Sequence, residues 1–237
     1  MVIIENYGFI LLSIAIVCGL FMAWGVGAND VANAMGTSVG AKAITIKQAI
    51  IIAMVFECAG AYLAGGEVTD TIRKGIIDPE LLGVHPELLV YGMISSLLAA
   101  GIWLLIATTF GWPVSTTHTI VGAIVGFAAV GISIDAINWG KVIQIVLSWV
   151  ISPVLAGVLA FVLYMSVRHF ILNTPNPLRS AKRGVPVYIF LVAFIISMVS
   201  LVKGLKHVGL DVGFQDAVLY ALMIAFLLTM IGSVLVS

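Results

Sequence analysis

The sequence predicts an all-α integral membrane protein, a multi-span helical bundle, and three observations carry that prediction. Hydrophobic residues make up 62% of the chain and charged residues 9%, with a mean hydropathy of +1.19, a balance typical of membrane-embedded chains. Long windows hold no Asp, Glu, Lys or Arg, among them 88–134 and 142–167. The charges that do occur gather between those windows, where loops would meet water. A formal net charge of zero gives no basic surface for nucleic acid. Cys18 and Cys58 both lie in apolar runs and read as small buried residues rather than disulfide partners or metal ligands. No cleavable signal peptide is expected, because Glu5 stands where a basic region would be.

The first apolar segment runs from about Tyr7 to Ala28. Asp30 is the only formal charge between Glu5 and Lys42. A straight helix of that length would reach about 50 Å at about 1.5 Å per residue, against a hydrocarbon core about 30 Å thick. A break is therefore expected within Gly25–Gly36, where Asn29, Asp30 and Asn33 sit among small residues. An ionisable group held at membrane depth is a candidate functional site. A second span follows at about Gln48–Gly65, with Glu57 near its centre. Residues Glu67–Glu87 hold five acids and two prolines, a solvated loop with room for a short surface helix at Thr69–Ile76.

Residues 88–134 give enough chain for two passes, with Pro113 close to the middle. A turn in water would carry charge. This one carries hydroxyls instead: Thr108, Thr109, Ser115, Thr116, Thr117 and Thr119, with His118 among them. Backbone freed at membrane depth is tolerated only inside protein or beside a cavity. The stretch reads as a re-entrant helical hairpin, and two ordinary spans remain open. A span at about Val142–Val167 follows, with Pro153 as an expected kink. Residues 168–184 form a basic connection without an acid, and two further spans are expected at about 185–202 and 214–236. By the positive-inside rule the connection is cytoplasmic. Counting crossings then puts the N-terminus outside and the C-terminus of the chain inside.

Asp30, Asn29 and Asn33 make an oxygen-rich cluster suited to Na⁺ or H⁺ rather than to a soft metal. Asp30 and Asn33 are three apart and share a helix face. Cross-helix bonding is an equally good reading for the two amides alone. Glu57 reads as a further functional carboxylate at mid-span, with a surface-snorkelling or paired side chain as the alternative. The hydroxyls after Pro113 could bond only their own helices. Beside a helix start they become an anion-site candidate, and His118 reads as a packed ring. No Lys or Arg lies inside the apolar spans. A bound anion would thus need a co-bound cation near Asp30 to compensate its charge.

Several motifs resemble those of the inorganic phosphate transporter (PiT) family, sodium- or proton-coupled phosphate carriers. They are Gly27-Ala28-Asn29-Asp30-Val31-Ala32-Asn33-Ala34, Phe56-Glu57 with Thr69–Ile77, Pro113–Gly122, and Lys203-Gly204-Leu205-Lys206. The resemblance implies two inverted repeats with broken helices and re-entrant hairpins around a central site, of which this chain carries one motif copy and so one half. It implies residues 1–167 as the first transporter repeat, 168–184 as the cytoplasmic connection and 185–237 as two further helices. It also implies Na⁺ at Asp30 and Asn33, phosphate at Ser115, Thr116 and Thr117 with Asn29 beside them, and Glu57 in coupling. No cofactor is expected beyond the coupling ion, Na⁺ or H⁺. The expected partners are inorganic phosphate, membrane lipids, and a second half or second copy as in a homo-oligomer. The expected place is the cell membrane, as a multi-pass protein. Sulfate carriage by the same machinery is the nearest alternative, followed by a channel-type or structural subunit. An intramembrane hydrolase built on Ser115, His118 and Asp30 is the remote one, since no Gly-x-Ser-x-Gly elbow is present.

Overall fold

A computed structural model describes residues 2–77, 86–204 and 212–236. Part of the acid-rich loop (78–85) and the Leu205-Lys206 pair lie outside those residues. The helices are α1 (Val2–Gly40), α2 (Ile46–Gly75), α3 (Pro86–Thr109), α4 (Thr116–Gly131), α5 (Trp139–Val167), α6 (Pro177–Val199) and α7 (Phe214–Val236). A 3₁₀ turn at Ile134–Ala136 and π-helical segments at Arg168–Leu172 and Ser200–Gly204 complete the order. Among the described residues, six helices are long and apolar enough to cross a membrane. The chain is an all-helical, multi-pass membrane protein.

Two local expectations are corrected. The predicted break in the first helix does not occur, because α1 is continuous over 39 residues through Gly25–Gly36. Its glycines each weaken a helix by only about 1 kcal/mol relative to Ala, and no proline removes a hydrogen bond. A helix longer than the hydrocarbon can tilt instead of breaking. The separate surface helix expected at Thr69–Ile76 is the continuation of α2, which runs without interruption to Gly75. The basic connection is mostly helical as well. A π-helical turn extends α5 to Leu172, and α6 starts at Pro177. Asn176 caps that start by accepting from Arg179 N at 3.3 Å, with Pro177 at the first helical position, where its missing N–H is no loss.

The chain divides into two compact units, Met1–Ala59 with Thr69–Ile143, and Gly60–Val68 with Gln144–Ser237. In the first, α1 and α3 run parallel and in step. Gly25 lies against Leu104, Phe21 against Gly101, and Asn29 reaches Thr108. The approach is close: a Cβ on Gly25 would stand 2.9 Å from Leu104 Cβ, and one on Gly101 2.6 Å from Phe21 Cδ1. Ala100, Leu104 and Ala107 of α3 are buried at this crossing's level, as are Val121, Ile124 and Ala128 on α4. The chain leaves α4 through the Ser133-capped 3₁₀ turn, where Ala136 N donates to Ser133 Oγ at 3.2 Å. It then clasps the end of α2. Asn138 N donates to Ile76 O at 2.9 Å, and Ile77 bridges Ile137.

In the second unit, α6 packs on α7. Ala217, Ala221 and Ala225, spaced four apart, are fully buried along α7, and Ile189 fills the space beside Gly232. Two other helices contrast with this pair. No residue of α5 is buried, and on α2 Ala49 and Ala53 are the buried positions among Ile46–Leu63. Pro153 sits inside α5 without ending it.

Candidate functional site

The polar centre of the first unit is the turn between α3 and α4, held from the side by α1. α3 ends in a Schellman motif. Trp112 N donates to Ala107 O at 2.8 Å and Gly111 N to Thr108 O at 3.1 Å, with Gly111 at φ 68°. That left-handed position suits glycine, which has no Cβ to clash. Pro113 follows and prevents the helix from resuming at once. Two backbone groups of the turn, the Trp112 carbonyl and the Val114 amide, then have no partner within their own segment. Unpaired backbone is costly in an apolar setting.

Asn29 supplies both partners. Its Nδ2 donates to Trp112 O at 3.0 Å and at longer range to Thr108 Oγ1, 3.4 Å. Its Oδ1 accepts from Val114 N at 3.2 Å. The side chain is only 6% exposed. A primary amide donates and accepts through two separate atoms, and so can serve both groups at once. A hydroxyl could not span both groups, and a carboxylate could not donate.

Its neighbour Asp30 is half-buried. Thr116 Oγ1 donates to Asp30 Oδ2 at 3.1 Å, which joins the first turn of α4 to α1. Ser115 caps α4 by accepting from His118 N at 3.2 Å, and Thr119 Oγ1 donates back to Ser115 O at 2.9 Å. The amides of Thr116 and Thr117 begin the helix and have no intrahelical acceptor. They add the positive end of the helix dipole next to the carboxylate. Thr117 is exposed, as is the Ser115 side chain.

The structure therefore brings together Asn29, Asp30, Ser115, Thr116 and Thr117 of the expected site residues. Asn33 and Glu57 stand apart from it in hydrogen bonding. Both are exposed, and neither bonds to the Asp30–Thr116 pair. Asn29, expected beside the anion, has its side-chain amide engaged by the turn. The sequence reading missed Gly111 and the Trp112 carbonyl. Gly111 followed two residues later by Pro113 is a recognisable helix-stop signal and could have located the turn to within a residue. Among the described residues no group of three or more His, Cys, Asp or Glu could hold a metal ion.

Six described helices long and apolar enough to span, with the Asp30 carboxylate paired to Thr116 at the turn between α3 and α4, define a polytopic membrane protein with a polar site in its first unit. The chain belongs to the phosphate transporter family, whose model matches residues 26–235, and that family is one of transporters rather than enzymes. It is 50% identical over 227 residues to a Haemophilus influenzae protein named as a phosphate permease, covering 96% of this chain and 54% of that relative. It is 47% identical over 183 residues to a chloroplastic inorganic phosphate transporter of Arabidopsis thaliana, covering 77% of this chain and 31% of the relative. A solved structure, named as the sodium-dependent phosphate transporter, matches with a TM-score of 0.87 and 41% identity, over 95% of this chain and 55% of that one. The chain spans about half the length of the curated bacterial relative and of the solved structure.

Proposed function

We propose that this chain forms part of a phosphate carrier driven by a cation gradient, in which the α4 N-terminus binds phosphate and Asp30 holds the coupling ion. One observation carries the reading: Thr116, at the mouth of the anion-favouring helix end, is hydrogen-bonded to the Asp30 carboxylate at 3.1 Å. Phosphate brought to the Thr116 and Thr117 amides would meet that carboxylate at short range, and like charges so placed repel strongly in a poorly screened site. A cation or proton on Asp30 removes the repulsion. Each ligand then tightens the other by the same factor, which is the thermodynamic content of coupling. The free Asp30 Oδ1 and the Asn33 carbonyl oxygen are hard donors suited to Na⁺. Similarity to a sodium-dependent phosphate transporter favours sodium over a proton as the coupling ion.

In this assignment Ser115, Thr116 and Thr117 contact phosphate, Asn29 positions the turn that presents them, and Glu57 assists coupling from α2. The sixteen residues of α4 reach about 24 Å at about 1.5 Å per residue, less than the hydrocarbon thickness, which favours a re-entrant hairpin over a second full crossing. The exposed apolar faces of α2 and α5 suit lipid or a second unit of comparable size, a second half or a second copy. With that unit the carrier would work by alternating access. The basic α5–α6 connection supports a cytoplasmic position for that end by the positive-inside rule, and with it an N-terminus outside.

The test is uptake of labelled phosphate into vesicles holding the complete assembly under a sodium gradient. Asp30→Asn should lower sodium-driven uptake by about 100-fold or more, since an amide cannot neutralise a cation. Thr116→Val should weaken phosphate affinity by about tenfold, the scale of one hydrogen bond to a charged group, while sodium binding persists. Uptake that kept its full sodium dependence in Asp30→Asn would overturn the role of the carboxylate. Equal competition by sulfate would overturn the choice of phosphate.

A further inference from the structure

We infer that the surface at the α5–α6 turn binds the headgroups of anionic phospholipids. Between Asp135 and Asp211 the chain carries no acid. Within that interval Arg168, Arg179, Lys182 and Arg183 are all exposed around one turn. Arg179 and Arg183 are four residues apart and therefore lie on the same face of α6. The turn itself is tightly built. Thr174 Oγ1 donates to Ile171 O at 2.8 Å and sits 2.8 Å from Ser180 Oγ, which laces the end of α5 to the first turn of α6. Ile171 is buried against Gly184, where an added Cβ would come 2.9 Å from Ile171 Cδ1.

With Ile171 turned inward, its neighbours are turned out. Phe170, Leu172 and Leu178 are 66%, 52% and 79% exposed. The surface thus presents apolar side chains beside guanidinium groups. A soluble anion uses the second and has no use for the first. A lipid uses both, because acyl chains receive the apolar residues while the headgroup phosphate meets the Arg side chains. Arg also suits phosphate through its paired donors. The location agrees, since the turn joins two membrane-spanning helices and so lies at a membrane surface. Nothing in this inference depends on what the Asp30 site carries.

The experiment measures lipid binding to the full chain in neutral detergent by native mass spectrometry, with phosphatidylglycerol and phosphatidylcholine titrated separately. Phosphatidylglycerol should bind about tenfold tighter or more. R179Q/R183Q should remove about tenfold of that preference, and R179K/R183K should keep most of it, on the scale of several-fold per basic residue near an anionic surface. In the unmodified chain the preference should fall steeply as salt is raised, a readout that needs no variant to fold. Equal affinity for the two lipids, a salt-insensitive preference, or an R179Q/R183Q protein that binds like the parent would each overturn the inference. So would displacement of the lipid by inorganic phosphate at matched ionic strength, which would mark a free-anion site instead.

Discussion

The α1–α3 crossing and the α6–α7 pair solve the same packing problem with small residues, yet they treat polar groups in opposite ways. Gly25 and Gly101 let α1 and α3 approach, as Ala217, Ala221 and Ala225 do for α7. On α7 the hydroxyls fold back onto their own helix, Thr229 to Ala225 O at 2.7 Å and Ser233 to Met230 O at 2.8 Å. On α1 the polar side chains reach outward, Asn29 to the hairpin turn and Asp30 to Thr116. Close packing of apolar helices in lipid is served by small residues alone. The amide and carboxylate on α1 are therefore explained by the turn and the site, not by helix association.

That contrast can be broken in a graded way. The largest effect on stability is expected from Asn29→Ala, which strands the Trp112 carbonyl and the Val114 amide. At about 1–3 kcal/mol for each buried unpaired group, the loss should be about 3 kcal/mol in thermal or denaturant unfolding in detergent. Asn29→Asp should lose nearly as much, because it keeps the acceptor for Val114 but cannot donate to Trp112. Ala221→Leu should follow at about 2 kcal/mol, since it overfills a closed apolar contact, and phosphate uptake should fall only in step with the amount of folded protein. Thr229→Val should be the smallest, within about 0.5 kcal/mol, as it deletes a bond within one helix. A Thr229→Val loss equal to that of Asn29→Ala would erase the distinction between the two regions.

Which parts of this were readable in the chain depended on where the signal lies. The span at 214–236 coincides with α7, whose start is marked by Asp211 and Gly213 just before it. The hairpin was visible as Pro113 inside a long charge-free window, and the pairing of its hydroxyl motif with the Asp30 motif followed from the family resemblance. Helix continuity was misjudged at Gly25–Gly36, where bilayer thickness stood in for local chemistry, and at Thr69–Ile76, where charge did. Small residues at Gly25–Gly36 do not stop a helix that packs well. The basic residues after Pro177 lie in helix because Asn176 and Pro177 start one. The partners of Asn29 were beyond reach for a different reason. They are main-chain atoms of a turn 83 and 85 residues away, and main-chain atoms leave no residue-type signature.

The unbroken α1 has a mechanical consequence. With no joint at Asp30, α1 keeps its two arms in line, so any tilt moves it as a rod. Pivoted where the hairpin grips Asn29 and Asp30, it is a lever with arms of about 42 Å toward Val2 and about 15 Å toward Gly40, at about 1.5 Å per residue. A small rocking of the short arm sweeps the far end about three times as far, while the Asp30 carboxylate at the fulcrum barely moves.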